Sequence, residues 1–252
     1  MSKISAVIIT KNEADNIQRC ISSLEGVADE VLVLDAYSED ETVEIATSLG
    51  ARCIQREWVG FAASKNYANS LATHPYILSL DADEALSEAL RASLLKEKVL
   101  LAGAYTFNRL TNYCGKWVRH GGWYPDVKLR LFPKQAANWQ GDFVHEKLVL
   151  KKDVPTSHLS GDILHYSITS VEDHLERINR YSSLAAEDMF NKGKKGGWIK
   201  RWLSPGLRFL KMYLLKGGFL DGYEGYLISK FSAFSTYLRY VKLREKYQHA
   251  ER

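Results

Sequence analysis

Short apolar runs alternate with helical patterns along the first third of the chain. Residues 4–10, 31–34 and 76–80 form nearly continuous apolar runs, which are typical of parallel strands buried on both faces. A shorter run at residues 52–54 indicates a further strand. Between the runs, apolar residues recur at helical spacing from residue 17 to residue 24, and residues 61–71 also predict a helix. This alternation predicts an α/β fold with a parallel sheet and right-handed crossovers.

Polar side chains end three of these predicted strands. Thr10 ends the first strand, Asp35 the second and Asp81 the fourth. Because ligands bind at the carboxyl ends of strands in open α/β sheets, we expect these residues to share one ligand-binding edge. Asp81 is followed by Asp83 after one residue, and such a pair suits Mg²⁺ or Mn²⁺, which combines carboxylates with substrate phosphates. For an isolated Asp-x-Asp, an acidic turn without a ligand is the alternative.

An ordered set of motifs resembles the family 2 glycosyltransferases of the GT-A fold. The motifs are residues 10–13 after the first strand, 33–42 after the second, 65–68 in the helix before the fourth strand, and 81–84. The family commonly has Gly-Ser where this chain has Ala36-Tyr37, whereas Asp35 is kept. The resemblance implies a nucleotide-diphospho-sugar transferase with a Rossmann-like, mostly parallel sheet flanked by helices.

Later motifs narrow the resemblance to the branch that builds the bacterial lipopolysaccharide core, the glucosyltransferases of the WaaE/KdtX type. These motifs lie at residues 126–132, 139–148, 164–167 and 218–222. The resemblance implies an inverting, metal-dependent enzyme that moves a hexose such as glucose from a nucleotide-sugar donor, a UDP-sugar. The implied acceptor is a hydroxyl of a lipid-linked saccharide, in the lipopolysaccharide core or another cell-envelope glycan.

The resemblance also implies roles for residues at the donor side. Asp83 would coordinate the metal most directly, and Asp81 would lie near the ribose or reach the metal through water. In several enzymes of this fold a histidine in the region of His165 completes the metal site, and a core or rim histidine is the alternative. The nucleotide base would be bound by Asp35. The donor pocket would further contain Thr10, Asn12, Glu13 and Lys65. For Lys65 three interpretations stay open: it neutralises a phosphate, it holds the sheet edge, or it is a solvated helix lysine.

Direct displacement needs one carboxylate that takes the proton of the acceptor hydroxyl. Asp126, Asp142 and Glu146 follow the metal strand and are the candidates. We expect Glu146 to be the base, because the family's catalytic acid falls in this segment, and Asp142 is the rival. His145, which precedes Glu146, would orient the acceptor or the base, or make a structural hydrogen bond.

Length and composition limit the organisation of the chain. Its 252 residues bury one substantial core with an appended element. We therefore predict a GT-A domain at residues 1–168, with a nucleotide-sugar half at 1–110 and an acceptor half at 111–168, followed by a helical extension at 169–252.

Three cysteines without metal-type spacing indicate reduced thiols of a cytosolic protein. We find no signal peptide or membrane span in the pattern, so we expect a cytoplasmic protein, peripheral on the inner face of the cytoplasmic membrane.

Basic and aromatic residues crowd the stretch from residue 192 to residue 246, although the net charge is only +4. Interfacial helices place aromatic and leucine residues on one face and cations toward anionic headgroups, so an anionic membrane surface is the predicted partner. A helical subdomain whose apolar face packs on the core is the alternative. Nucleic acid is not an expected partner, because no recognised nucleic-acid-binding motif is present.

Two other function classes stay open from the sequence. A nucleotidyltransferase also uses an acidic metal edge, but it typically has a glycine-rich phosphate loop after its first strand. Here residues 11–13 contain no glycine. The second class is a non-catalytic scaffold that keeps the GT-A fold. Loss of the metal acids or of the Glu146 segment would favour it, but the chain keeps the acids and the segment.

Overall fold

The computed structural model describes residues 2–141 and 146–250, and its elements follow the predicted alternation. The apolar runs form strands and the periodic segments form helices, with these bounds: β1 Ile4–Thr10, α1 Ala14–Ser23, β2 Glu30–Asp35, α2 Thr42–Ser48, β3 Arg52–Gln55, α3 Phe61–Leu71, β4 Tyr76–Asp81, β5 Glu84–Leu86 and α4 Glu88–Glu97.

The rest of the chain adds antiparallel strands and then helices. Their bounds are β6 Ala104–Tyr113, β7 Lys116–Val118, β8 Asp126–Pro133, β9 Ala137–Gln140, β10 Lys147–Leu150, β11 Thr156–Ile168, α5 Val171–Asn191, α6 Trp198–Leu210 and α7 Gly222–Ala250. A π-helical turn at Lys211–Leu215 and a 3-10 turn at Gly218–Asp221 lie between α6 and α7.

The strand order of the large sheet is β3-β2-β1-β4-β8-β6-β11-β5. The first four strands are parallel, whereas β8 is antiparallel to both β4 and β6. Thr10 is the register partner of Asp35, and Ile9 is the partner of Asp81. The three predicted polar strand ends therefore meet at one edge of the sheet.

Strand β1 shows why its sequence is largely apolar, with only Ser5 and Thr10 polar. All seven residues are buried, and alternate side chains enter two different hydrophobic clusters. Ile4 and Ile8 pack in one cluster with α1 and α4, while Val7 and Ile9 pack in the other with α3. A strand covered on both faces has no position for a solvated side chain, which explains the continuous apolar run.

The chain forms two compact units, one of residues 1–109 and 126–166 and one of residues 110–125 and 167–252. Strands β6 and β11 begin in the first unit and end in the second. The core of the second unit contains Tyr113, Val118, Ile168, Met212 and Ile228. Helices α5 and α6 both pack against α7.

The three cysteines form no disulfide: Cys20 is buried, Cys53 is half-buried and Cys114 is exposed. Burial raises the pKa of Cys20, and the carboxylates of Glu84 and Asp83 raise it further, so the thiol stays protonated. No helix within residues 2–141 and 146–250 is both long and apolar enough to cross a membrane.

Candidate active site

The loops after β1 and β2 are joined by polar side chains. The Asn12 backbone N–H donates to Ser38 Oγ at 2.8 Å, and the Glu39 N–H donates to Asn12 Oδ1 at 2.9 Å. The Ser38 N–H in turn donates to Asp35 Oδ2 at 2.9 Å. Asn12 has a φ of 53°, a left-handed conformation that asparagine tolerates better than most residues. These bonds hold the two loops in one arrangement at the carboxyl edge of the sheet.

The other predicted donor residues lie at the same edge. Asp35 is fully buried and also accepts from Gln55 Nε2 at 3.1 Å. The Glu13 N–H donates to Thr42 Oγ1 at 2.8 Å. Thr10 Oγ1 is buried and has no hydrogen-bond partner among the described residues. The structure thus brings Thr10, Asn12, Glu13 and Asp35 together, and their roles in donor binding stay predictions.

Asp83 and His165 form the pair that best fits a divalent cation. Asp83 Oδ2 lies 3.1 Å from His165 Nε2, and the Tyr166 N–H donates to the Asp83 carbonyl at 2.8 Å. Neighbouring ligands of an octahedral ion, each about 2.1 Å from it, lie about 3 Å apart, so this spacing fits two adjacent ligands. Carboxylate and imidazole are both ligands of divalent metals.

No group of three or more potential His, Cys, Asp or Glu ligands occurs in the described parts of the chain. Asp83 and His165 would therefore hold an ion only together with oxygens from elsewhere, such as those of a bound diphosphate and water. That is the usual way in which Mg²⁺ is held in phosphate-binding enzymes. The residues present fit such a shared site.

Asp81 has a different environment from Asp83. Its Oδ1 lies 2.9 Å from Lys65 Nζ, and its Oδ2 lies 2.9 Å from Arg130 Nη2. Burial alone would raise the pKa of Asp81, but the charges of Lys65 and Arg130 outweigh it and hold that pKa well below its ordinary value. Lys65 is only 3% exposed and lies 4.4 Å from the centroid of the Trp139 ring. The alternative of a solvated helix lysine is thus wrong.

Asp81 begins a chain of alternating charges. Arg130 also contacts Glu84 at 2.7 Å, and Arg109 contacts the same Glu84 oxygen at 3.3 Å. Beyond them, Asp126 lies 2.8 Å from Arg109 and 2.9 Å from Lys128. Glu84 is fully buried, and such a charge persists in a protein interior only when it is paired. Asp126, one of the candidate bases, is held here between two cations.

A cavity of about 400 Å³ opens beside this charge chain. Its lining includes Lys65, Asp81, Arg130, Trp139 and Glu146. The expected base therefore shares a cavity with the first acid of the Asp-x-Asp motif and its two cations. Asp142 and His145 lie outside the described residues.

The sequence of this chain is similar to those of known glycosyltransferases. The model of the family described as glycosyl transferase family 2 matches residues 5–141. An uncharacterized glycosyltransferase of Rickettsia typhi is 35% identical over 97% of this chain and 88% of its own length. The chain belongs to glycosyl transferase family 2.

Two further comparisons concern function and fold. The lipopolysaccharide core biosynthesis glycosyltransferase LpsC of Rhizobium meliloti is 27% identical over 97% of this chain and 93% of its own length. A mannosyltransferase of Pyrobaculum calidifontis, solved with GDP-Man and Mn²⁺, has a TM-score of 0.53 at 14% identity, and covers 97% of this chain and 88% of its own. The predicted GT-A fold and glycosyltransferase activity are confirmed.

Arg109, Arg130 and Trp139 also line the cavity, although their roles are not predicted from the sequence. A signal was present in β8, where Asp126, Lys128 and Arg130 recur with period 2. Three charged residues on one face of a strand between apolar neighbours indicate a polar, functional face.

Replacing Arg130 with Met should destabilise this family 2 enzyme by about 3–5 kcal/mol, because it leaves the buried Glu84 with a weaker partner. Denaturant unfolding would measure the loss. The matched control is Arg52→Met, which removes an arginine whose side chain is 46% exposed and should cost at most about 1 kcal/mol. Equal losses in both variants would contradict a stabilising role for the charge chain.

Proposed function

We propose that this enzyme transfers a hexose from a nucleotide-diphosphate sugar to a hydroxyl of a cell-envelope glycan, with inversion and with a divalent cation. The observation that carries the proposal is the arrangement at one sheet edge: Asp83 and His165 are spaced as metal ligands, and Glu146 lines the cavity that also contains Asp81. The similarity to LpsC supports a lipopolysaccharide-type acceptor. Family membership favours glycosyl transfer over nucleotidyl transfer.

On the donor side, Asp83 and His165 would hold the cation, and the loops at Asn12 and Asp35 would bind the nucleoside. When bound, the cation would neutralise negative charge on the departing diphosphate. Lys65 would add a fixed positive charge, although Asp81 already engages it. Because Asp81 is held by Lys65 and Arg130, we propose that it positions the donor and that Asp83 provides the direct contact to the ion.

On the acceptor side, Glu146 would accept the proton of the attacking hydroxyl. One base on the face opposite the leaving group gives a single displacement, which inverts the anomeric carbon. Retention by double displacement needs a second carboxylate, which acts as the nucleophile, about 5 Å from the first. Among the described residues that line the cavity, the other carboxylate is Asp81, and its engagement by two cations makes it a poor nucleophile.

The direct test is to incubate the purified protein with a panel of UDP-, GDP- and ADP-hexoses and Mn²⁺, without acceptor. We expect slow release of the nucleoside diphosphate from one donor, with chelator stopping it and the α-linked donor giving a β-configured sugar product. Release of inorganic pyrophosphate from nucleoside triphosphates would instead indicate nucleotidyl transfer. No turnover of any donor, even with lipopolysaccharide core oligosaccharide added, would contradict the proposal.

The acceptor is proposed to be lipid-linked, and α6 provides the surface that would meet the membrane. No residue of α6 is buried. Trp198 is 71% exposed and Trp202 65%, and the apolar side chains share one face. That face consists of Trp198, Ile199, Trp202, Leu203, Leu207 and Leu210. Lys200, Arg201 and Arg208 lie on the other side of the helix, as in helices that lie in an anionic membrane interface.

Introducing acids into this face should release the protein from anionic membranes. We expect the double variant Ile199→Glu and Leu203→Glu to bind phosphatidylglycerol-containing vesicles at least about tenfold more weakly, because two apolar side chains no longer enter the interface. Vesicle co-sedimentation at low and high salt measures this. Leu184→Glu, at an exposed position of α5, is the control and should bind like the parent. Equal binding by all three proteins would rule out α6 as the membrane surface.

A further inference from the structure

We propose that Glu84 is a positioning residue for the candidate metal pair, because its buried carboxylate holds Asp83 and His165 at the spacing that a divalent cation needs. This inference rests on the proposed function, since it concerns the ion that the pair would share. Glu84 is not a metal ligand in this role: its side chain is fully buried, and both carboxylate oxygens are engaged by protein groups. It acts through the turn that carries Asp83 and through the strand that carries His165.

The Glu84 side chain closes the turn that carries Asp83. Strand β4 ends at Asp81 and β5 begins at Glu84, so the turn consists of Ala82 and Asp83. Across it, the Asp81 backbone N–H donates to Glu84 Oε2 at 3.1 Å. Local hydrogen bonds of this kind, from a backbone group to a side chain three residues away, stabilise one conformation of a turn. The Glu84 carboxylate thereby fixes the backbone from which the Asp83 side chain extends.

The backbone of Glu84 is paired with the strand that carries the second ligand. Strand β5 is antiparallel to β11, and Glu84 is the register partner of His165. The Tyr166 N–H donates to the Asp83 carbonyl at 2.8 Å, which continues this pairing into the turn. Residues opposite each other in an antiparallel pair have Cα atoms about 4.5–5.5 Å apart. The backbones of both ligands are therefore held side by side, and the 3.1 Å between Asp83 Oδ2 and His165 Nε2 depends on this pairing.

The second carboxylate oxygen ties the turn to two further strands. Glu84 Oε1 lies 2.7 Å from Arg130 Nη2 of β8 and 3.3 Å from Arg109 Nη1 of β6. The same Arg130 nitrogen lies 2.9 Å from Asp81 Oδ2, so this arginine contacts both ends of the turn. A buried charge network is weak evidence for stability, since well-packed apolar residues of similar volume are often as stable. This network is better explained by the geometry that it imposes on the turn.

Binding of Mn²⁺ without turnover tests this role. Electron paramagnetic resonance of free Mn²⁺ gives the dissociation constant of the ion in the presence of saturating UDP, GDP or ADP. In Glu84→Gln the side chain keeps its length but loses the charge that holds Arg130 and Arg109. Groups that orient metal ligands typically contribute about 10- to 100-fold to metal affinity, so we expect Mn²⁺ to bind at least about tenfold more weakly in this variant. Parent-like affinity in a folded Glu84→Gln protein would overturn the proposal.

A matched control separates positioning from stability. Glu30 is also a carboxylate with little exposure that accepts from several donors, namely Ser5, Arg52 and Thr73. It lies at the start of β2, whereas the turn with Asp83 follows the end of β4. Glu30→Gln should lower the stability to denaturant, as Glu84→Gln does, but it should bind Mn²⁺ like the parent. Equal losses of Mn²⁺ affinity in the two variants would assign both effects to stability and contradict a positioning role.

The double variant Glu84→Gln and Arg109→Met separates geometry from charge. It removes one buried anion together with one cation, so the net charge near the metal pair stays the same, and it decides the test if the single variant does not fold. A loss of Mn²⁺ affinity of about tenfold here too would assign the effect to the placement of the ligands. Parent-like affinity would show that Glu84 attracts the ion by charge alone and would overturn the proposal. Failure of the proposed metal role itself would appear separately, as absent Mn²⁺ binding by the parent.

Discussion

Glu146→Gln should lower the rate of sugar transfer by about 10²–10⁴-fold while the affinity for the nucleotide sugar barely changes. Glutamine keeps the size of the side chain and its place on the cavity wall, but it cannot take a proton at neutral pH. The acidic limb of the kcat/KM profile should also disappear, because that limb reports protonation of the base. Steady-state kinetics across pH, with donor affinity measured by calorimetry, provides both readouts.

Two further variants make this test specific. Glu88→Gln removes an exposed acid at the start of α4 and should leave transfer nearly unchanged. Asp142→Asn tests the rival base four residues upstream and should cause a much smaller loss than Glu146→Gln. If the large loss appeared only in Asp142→Asn, the catalytic role would belong to Asp142, and Glu146 would be a structural acid of the cavity.

Asp83→Asn should reduce transfer by about a hundredfold or more without unfolding the protein. Asp83 lies in the turn between β4 and β5 rather than in the core, and its partner in the structure is His165. Asparagine is a poorer ligand for a hard cation than a carboxylate, so the variant should need more Mn²⁺ for half-maximal activity. Activity titrated with Mn²⁺ after chelation, beside thermal unfolding, measures the effect.

His165→Gln should shift the same Mn²⁺ requirement in the same direction, because His165 is the second ligand of the proposed pair. Asp15→Asn, which removes an exposed carboxylate from the first turn of α1, is the control and should titrate like the parent. Full activity of the parent in excess chelator, or an unchanged Mn²⁺ requirement in both Asp83→Asn and His165→Gln, would contradict a metal at this pair.

The sequence by itself determined the first four strands and the edge at which their polar ends meet. Strand β1 occupies residues 4–10 as predicted, and α3 occupies residues 61–71 as predicted. The physical reason is local: a strand buried on both faces is apolar at nearly every position, and an amphipathic helix repeats its apolar residues every three or four positions. Parallel order then places Thr10, Asp35 and Asp81 at one edge without further information.

The charge chain was decided only by the tertiary structure. Arg130 meets Asp81 because β8 is inserted next to β4, and Arg109 meets Asp126 because β6 pairs with β8. Local periodicity does not specify which strands become neighbours when the connections are long. The burial of Lys65 has the same origin, since its partners Asp81 and Trp139 come from two different strands.

The C-terminal stretch illustrates the same division. Its basic, aromatic composition and helical period were evident from the sequence, and α6 and most of α7 formed there. Whether the apolar face of α6 packs inward or stays exposed depends on what lies opposite it, and residue spacing carries no information about that. In the folded chain α7 contacts α6 while Trp198 and Leu203 remain exposed, and residues 110–125 join the unit of these helices. Period and composition are properties of a segment, whereas burial is a property of the whole fold, and only the fold decided it.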